Sequence, residues 1–140
     1  MKHEIRQLKK SDRARWEELF RCHTIYHHCE PTKDGLENVW SWIFDPEHDF
    51  WCDLVIEPQG SIIGFAHYLS TPDPLLGQMV IYLADMFVDP TARLRGAGRS
   101  IVDHVLAVAK AKGSPAAQWL TAETNYAARK IYDSYDPRTE

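Results

Sequence analysis

The sequence lacks the features that mark secreted and membrane proteins. It contains three cysteines, an odd number, so a framework of disulfide bonds is not expected. No apolar run approaches the roughly 18 residues that a membrane-spanning helix needs, and the first residues lack the apolar region of a signal peptide. We therefore expect a cytoplasmic protein without a membrane partner.

Positive charge is also scarce. Sixteen Lys and Arg residues stand against twenty Asp and Glu residues, which gives a formal net charge of −4. This balance argues against general binding to nucleic acids, and it mildly favours a cationic partner such as an amine. The composition is that of an ordinary globular protein, and no repeat, low-complexity tract or linker divides the chain. Residues 1–140 are therefore expected to form one domain.

The spacing of apolar residues predicts the element order β-α-α-β-β-β-α-β-α. An antiparallel meander comes first, and a β-α-β crossover then places the last strand parallel to its neighbour. The expected fold class is α/β of the α+β kind, with a mixed, mostly antiparallel central sheet and helices on both faces. Ser11 is predicted to cap the first helix, and Gly113 to follow the helix over 100–112. The predicted strands are 5–8, 50–57, 62–70, 79–88 and 118–122, a loop covers 71–78, and a last helix starts at Asn125.

Residues 85–99 are the most informative segment, because they combine a strand end, a turn with two glycines and three arginines, and the start of an amphipathic helix. Gly96 and Gly98 allow the backbone to approach a ligand closely. Backbone N–H groups and a helix N-terminus then converge on one point, which suits a phosphate group. A helix-start turn with solvated arginines is the structural alternative. A nucleotide-binding P-loop is disfavoured, because no Gly-Lys-Ser/Thr ends the turn.

Two motifs carry a family resemblance. Residues 93–98, Arg-Leu-Arg-Gly-Ala-Gly, resemble the Arg/Gln-x-x-Gly-x-Gly/Ala loop of the GNAT superfamily of acetyl-CoA-dependent N-acetyltransferases. Residues 125–132, Asn-Tyr-Ala-Ala-Arg-Lys-Ile-Tyr, resemble its Asn-x-x-Ala-x-x-apolar-Tyr element on the final helix. Residues 82–88 and 119–123 are similar to the branch of histone- and polyamine-type acetyltransferases. The likeness runs from about Ile5 to Thr139 and implies the GNAT fold.

The resemblance implies acetyl-CoA as the co-substrate, and no metal is expected. The loop would bind the pyrophosphate through its backbone, and the strand before it would pair with the pantetheine arm as a neighbouring strand does. The residues implied in binding the coenzyme are Met86, Phe87, Val88, Arg93, Leu94, Arg95, Gly96, Ala97, Gly98, Arg99, Asn125 and Tyr132.

The resemblance also implies that Tyr132 is the general acid that protonates the departing thiolate. A tyrosine pKa of about 10, against about 8.5 for a thiol, means that its hydroxyl is protonated and able to donate at neutral pH. The alternative is a core tyrosine on the apolar stripe of the last helix. Asn125 can serve as a helix N-cap as well as a coenzyme contact.

Asp85 is the first candidate for the base that deprotonates the acceptor amine. An ammonium group with a pKa of about 10.4 is almost fully protonated at pH 7, so a base or a water relay would help. The resembling branch commonly has Glu-Asp here, whereas this sequence has Ala84 before Asp85. The base is therefore left open, with Glu123, Glu30 and His67 in reserve.

A histidine and cysteine cluster at 22–29 offers a metal-binding alternative. His23 and His27 are four residues apart and share a helix face, as zinc ligands can. No third ligand with its own spacing logic is found elsewhere, so a packed helix face near the substrate cleft is the favoured interpretation.

The sequence thus predicts an enzyme that transfers acetyl from acetyl-CoA to a primary amine, by direct attack in a ternary complex. The acceptor would be a small-molecule amine, a polyamine or a lysine side chain. The alternative is a non-catalytic acyl-CoA-binding module acting as a sensor or scaffold, which Ala84 and the short C-terminus favour. Only 135–140 remain where the family has one or two further strands. The edge of the fifth strand is thus expected to be less covered, which favours a homodimer.

Overall fold

The computed structural model describes residues 3–92 and 96–119, and over them the elements follow the predicted order. Short 3-10 turns lie at Lys10–Asp12 and Pro90–Ala92. The predicted last helix and the end of the fifth strand lie outside the described residues. The main elements are β1 Glu4–Gln7, α1 Arg13–Tyr26, α2 Lys33–Phe44, β2 Phe50–Ile56, β3 Ile62–Asp73, β4 Gln78–Val88, α3 Ala97–Ala111 and β5 Ala117–Trp119.

The five strands form one sheet in the order β1-β2-β3-β4-β5. The first four are antiparallel neighbours, and β5 runs parallel to β4. Apolar side chains that alternate along the strands fill two separate cores. On β2, Val55 packs in the core under α3, and Leu54 packs in the core under α1 and α2. The mixed, mostly antiparallel sheet with helices on both faces is therefore confirmed.

A bulge in β4 decides which way its polar residue points. His67 of β3 pairs with Asp85, and Tyr68 pairs with Leu83, so Ala84 is the extra residue in β4. Before the bulge, Leu83 packs under α3, whereas after it Phe87 packs under α1 and α2. Because side chains alternate along a strand, one inserted residue moves the odd-numbered positions to the other face. The bulge therefore turns Asp85 toward α1.

The hairpin between β3 and β4 is longer than predicted. The loop expected over 71–78 is wrong at its ends, because Pro72 pairs with Met79 and Asp73 with Gln78. This part of β3 extends past the start of β2, where Phe50 pairs with Leu69. Pro72 is tolerated there because no ladder to β2 needs its missing N–H.

The helix starts also differ from the sequence predictions. The predicted N-cap Ser11 instead lies in a 3-10 turn, and Asp12 Oδ2 accepts a hydrogen bond from the Lys9 N–H at 2.8 Å. α3 begins three residues before position 100, because Gly96 adopts φ +82° and serves as its N-cap. Gly113, with φ +73°, follows the α3 C-cap as predicted. No helix in the described part of the chain is both long and apolar enough to cross a bilayer.

Candidate active site

The first turn of α3 follows closely after the end of β4. Gly96 is exposed and left-handed, and the Ala97 side chain is buried in the core, so this turn presents backbone to the outside. The N–H groups of a first helical turn have no partner within the helix, and the helix dipole favours an anion there. Gly96, Ala97, Gly98 and Arg99 therefore lie where a phosphate can be bound. Arg93, Leu94 and Arg95 lie outside the described residues.

The entry to this turn is fixed to the rest of the fold through Asp89. Its N–H donates to the Ile63 carbonyl at 2.7 Å, and its carboxylate accepts from the Thr91 N–H at 3.0 Å. Arg15 of α1 donates to the other oxygen of Asp89 at 2.9 Å and to the Ile62 carbonyl at 3.0 Å. The hydrogen bond from Arg15 is the main cause of a lowered Asp89 pKa. The segment between β4 and α3 therefore starts from a defined position.

Asp85 lies between two imidazoles, one from each neighbouring layer. His67 Nδ1 of β3 is 2.9 Å from Asp85 Oδ2, and His23 Nε2 of α1 is 3.0 Å from Asp85 Oδ1. His67 is fully buried, and the side chain of His23 is 9% exposed. These contacts bring together three polar residues that sequence analysis treated separately.

Trp16 fixes the direction of the hydrogen bonds in this cluster. Its indole N–H donates to His67 Nε2 at 3.0 Å. An indole nitrogen can only donate, so His67 Nε2 accepts and the ring proton of His67 is on Nδ1. His67 therefore donates to Asp85, and both nitrogens of His67 are occupied. His67 has no bare nitrogen left to accept a proton from a substrate, which argues against its reserve role as base.

The hydrogen bonds to Asp85 hold it as a carboxylate. Burial raises the pKa of Asp85, but the hydrogen bonds from His23 and His67 outweigh that effect, so its pKa lies well below the ordinary value. Asp85 is consequently ionised at neutral pH and accepts from both rings. A carboxyl with a strongly lowered pKa binds a proton weakly, so Asp85 is better suited to orient and polarise His23 than to hold a substrate proton itself.

His27 extends the cluster toward the surface at the end of α1. Its ring lies edge-to-face against His23, with 4.6 Å between the ring centroids, and it is exposed. Burial is the first cause and the neighbouring His23 the second cause of a lowered His27 pKa. In the described part of the chain, no group of three or more His, Cys, Asp or Glu side chains is arranged to hold a metal ion.

Aromatic rings surround the two buried histidines. Phe20 and Phe65 lie within 5.0 Å of the His67 ring, centroid to centroid, and Phe65 and Phe87 lie within 5.8 Å of the His23 ring. Apolar walls exclude water and strengthen the electrostatic interactions inside them. The arrangement is therefore suited to holding one oriented imidazole next to a fixed negative charge.

The other predicted site residues lie on β4, after α1, or outside the described part of the chain. Met86 and Val88 are half-buried on the face of α3, Phe87 is buried on the opposite face, and the three follow the bulge directly. Glu30 is exposed after the end of α1. Asn125, Tyr132 and Glu123 lie outside the described residues, so their roles stay predictions.

Sequence analysis missed the network of Trp16, His23, Asp85 and His67, although a signal was present. His67 and Asp85 each interrupt an apolar strand, and His23 falls on the apolar stripe of α1. Buried polar groups must find partners, so three such residues in apolar surroundings indicate mutual contact.

A second aspartate–histidine pair lies on the opposite face of the sheet. Asp53 Oδ2 accepts from the Tyr68 hydroxyl at 2.7 Å and lies 2.6 Å from His104 Nε2 of α3. Burial, followed by the charge of Asp53, raises the pKa of Tyr68 far above its ordinary value. This cluster joins β2, β3 and α3, and none of its members was predicted as a site residue.

Comparison with known proteins identifies the family. Residues 13–135 match the acetyltransferase (GNAT) family. The chain is 26% identical over 137 residues to a D-amino-acid N-acetyltransferase of Saccharomyces cerevisiae (HPA3), covering 97% of this chain and 85% of that protein. It is 28% identical over 129 residues to an uncharacterized N-acetyltransferase of Bacillus subtilis (YhfO), covering 92% and 85%.

Solved structures share the fold. The aminoglycoside N-acetyltransferase AAC(6')-Iy in complex with CoA superposes with a TM-score of 0.79 at 23% identity, covering 95% of this chain and 86% of that one. At this identity the similarity shows only the fold, and the family assignment rests on the match over residues 13–135. The expected GNAT resemblance is thereby confirmed, without specifying a branch. The chain belongs to the GNAT family of acetyltransferases.

Proposed function

We propose that this acetyltransferase moves the acetyl group of acetyl-CoA to a primary amine, by direct attack within a ternary complex. The observation that carries the proposal is the position of Asp85. The bulge of β4 turns it toward α1, immediately before residues 86–88 and close in sequence to the glycine turn that starts α3. An amine-activating group and the predicted coenzyme site thus lie on consecutive parts of one strand and turn.

The coenzyme assignment rests on the loop over 93–99. The exposed backbone of Gly96 and the start of a 15-residue helix support binding of the pyrophosphate. Residues 86–88 would contact the pantetheine arm through their backbone, and Asn125 would contact the coenzyme from the last helix. A related fold has been solved in complex with CoA, which supports acetyl-CoA as the co-substrate.

The acceptor class rests on chemistry and on relatives. Relatives are named for D-amino acids and for aminoglycosides, and both kinds of molecule offer amines. We favour small amines, polyamines and lysine side chains, as in the histone- and polyamine-type branch. A proton leaves the ammonium toward the cluster around Asp85 or a water relay, the amine attacks the thioester carbonyl, and Tyr132 protonates the departing thiolate.

The experiment measures thiol release from acetyl-CoA with a panel of amines that includes spermidine, lysine, D-amino acids and an aminoglycoside. We expect acceptor-dependent release with at least one class, and a product that carries one acetyl group by mass spectrometry. Tight binding of acetyl-CoA without release for any amine would instead support the acyl-CoA-binding module. Full turnover by Tyr132→Phe would refute the general-acid role. The homodimer and the cytoplasmic location stay predictions.

A further inference from the structure

We propose that Nδ1 of His23 is the general base that takes the proton from the acceptor amine, and that Asp85, His67 and Trp16 position it. This inference rests on the proposed function. It assigns the catalytic proton to a residue of α1 that sequence analysis treated as part of a packed helix face. Asp85 then acts through His23, as a positioning residue.

The hydrogen-bond chain fixes which atom is basic. Trp16 donates to His67, and His67 donates to Asp85, so Asp85 presents its other oxygen to His23 as an acceptor. His23 therefore donates from Nε2, and its remaining nitrogen, Nδ1, carries the lone pair. Nδ1 has no hydrogen-bond partner among the residues that the structure describes. The chain thus starts at an obligatory donor and ends at one bare, basic nitrogen.

The surroundings of His23 suit a proton acceptor. Asp85 of β4 places a negative charge 3.0 Å from the ring that would become positive. This is the role that a buried aspartate performs for a catalytic histidine in acyl transfer. The other titratable groups nearby are His27 on α1, His67 on β3 behind Asp85, and Cys52 of β2, whose burial raises its thiol pKa.

His23 is also close to the predicted acetyl position. Its ring packs on Phe87, which belongs to the segment 86–88 assigned to the coenzyme, with 5.8 Å between ring centroids. The exposed His27 also contacts the His23 ring, with 4.6 Å between ring centroids. The proposed base therefore contacts both the segment assigned to the coenzyme and an exposed histidine.

The acceptor ammonium gives one proton to His23 Nδ1, and the freed nitrogen lone pair attacks the thioester carbonyl. The C–S bond breaks, and the thiolate takes a proton from Tyr132. The second proton of the attacking nitrogen re-protonates Tyr132 through solvent, and the imidazolium of His23 releases its proton to solvent.

The test compares His23→Gln with a matched control, His104→Gln. Glutamine can still donate a hydrogen bond to Asp85 but has no titratable nitrogen. His104 is a suitable control because it pairs with Asp53 on the other face of the sheet. For an alkylamine acceptor, we expect His23→Gln to lower kcat about 10²–10⁴-fold. It should remove the acidic limb of the pH–rate profile and leave the Kd for CoA unchanged. His104→Gln should keep the wild-type kcat and profile.

Amine acceptors of different basicity distinguish whether His23 acts as a general base or has only a structural role. An amine that is already deprotonated at the assay pH needs no base, so with it the defect of His23→Gln should largely vanish. A defect of equal size with both kinds of amine, or equal defects in both variants, would overturn the inference. Binding of acetyl-CoA by the wild type without release to any amine would instead overturn the proposed function.

A second measurement uses the unmodified protein. Long-range ¹H–¹⁵N spectra of labelled histidines should show the proton of His67 on Nδ1 and that of neutral His23 on Nε2. A neutral His23 with its proton on Nδ1 would refute the proposal without any variant.

Discussion

Each carboxylate oxygen of Asp85 accepts a hydrogen bond from a histidine N–H, and these two donors limit which side chains can replace Asp85. His67 must donate because Trp16 occupies its other nitrogen, and His23 donates to the remaining oxygen. A carboxylate satisfies both donors, since it has only acceptors. Any group that brings an N–H to this position forces one imidazole to change its tautomer.

Asp85→Asn is expected to lower kcat about 10⁴-fold, the size that a wrong histidine tautomer costs in a serine protease triad. Its amide NH₂ would face His23, which must then accept at Nε2 and carry its proton on Nδ1. Steady-state kinetics and the calorimetric Kd for CoA check this, and we expect the Kd to stay unchanged. Wild-type turnover by this variant would contradict the assigned direction of the hydrogen-bond chain.

Tyr68→Phe tests the cluster on the opposite face. The change removes one partner of Asp53 Oδ2 and leaves the contact with His104. Loss of a buried hydrogen bond to a charged group costs about 1–3 kcal/mol, so the free energy of unfolding in urea should fall by that amount. We expect no change in kcat, and a drop in turnover comparable to that of Asp85→Asn would show that both clusters serve the reaction.

At the scale of elements, most of the fold follows from local patterns. The apolar stripes of α1, α2 and α3 and the alternation along β2 and β3 are sufficient to predict those elements. The direction of Asp85 is not predictable in this way, because the bulge at Ala84 reverses the alternation and depends on pairing with β3. The polar residues on apolar elements indicate that Asp85, His67 and His23 need partners, but which residues meet depends on tertiary packing.

Two glycines that flank α3 form a matched pair of tests. Gly96 before the helix and Gly113 after it have φ +82° and +73°, and an added Cβ would meet open space at both. Alanine in this conformation costs roughly 1–2 kcal/mol, so both variants should lose similar stability in thermal unfolding. Gly96→Ala alone should also weaken CoA binding, about tenfold, since its backbone faces the proposed pyrophosphate. Equal CoA affinities for the two variants would argue against that position of the phosphate.

At the scale of the whole molecule, the sheet separates two polar clusters with different tasks. The cluster under α3 joins three elements through Asp53, and the cluster under α1 ends in His23, next to an exposed histidine. On one face of the sheet, hydrogen bonds through Asp53 connect the strands to α3. On the other face, the sheet holds the oriented His23 ring beside the proposed coenzyme site.

Acid should destabilise the molecule through carboxylates with lowered pKa values. The hydrogen bond from Arg6 is the main cause for Asp12, and the bonds from His23 and His67 outweigh burial for Asp85. A pKa that is lower in the folded state contributes stability that is present above the ordinary aspartate pKa of about 3.9. That contribution is lost as the pH falls from about 5 through the folded values.

We therefore expect the free energy of unfolding to fall steadily below about pH 5 in urea titrations, and the slope to become shallower in Asp12→Asn. Asp12 accepts from two Arg6 nitrogens at 2.8 and 3.0 Å and is 8% exposed. Its removal should cost about 1–2 kcal/mol at pH 7, and less as the pH falls through the lowered pKa of Asp12. Salt screens exposed pairs more than buried ones, so most of this difference should persist at high ionic strength. A difference that vanishes in salt would show that Asp12 acts as an ordinary surface charge.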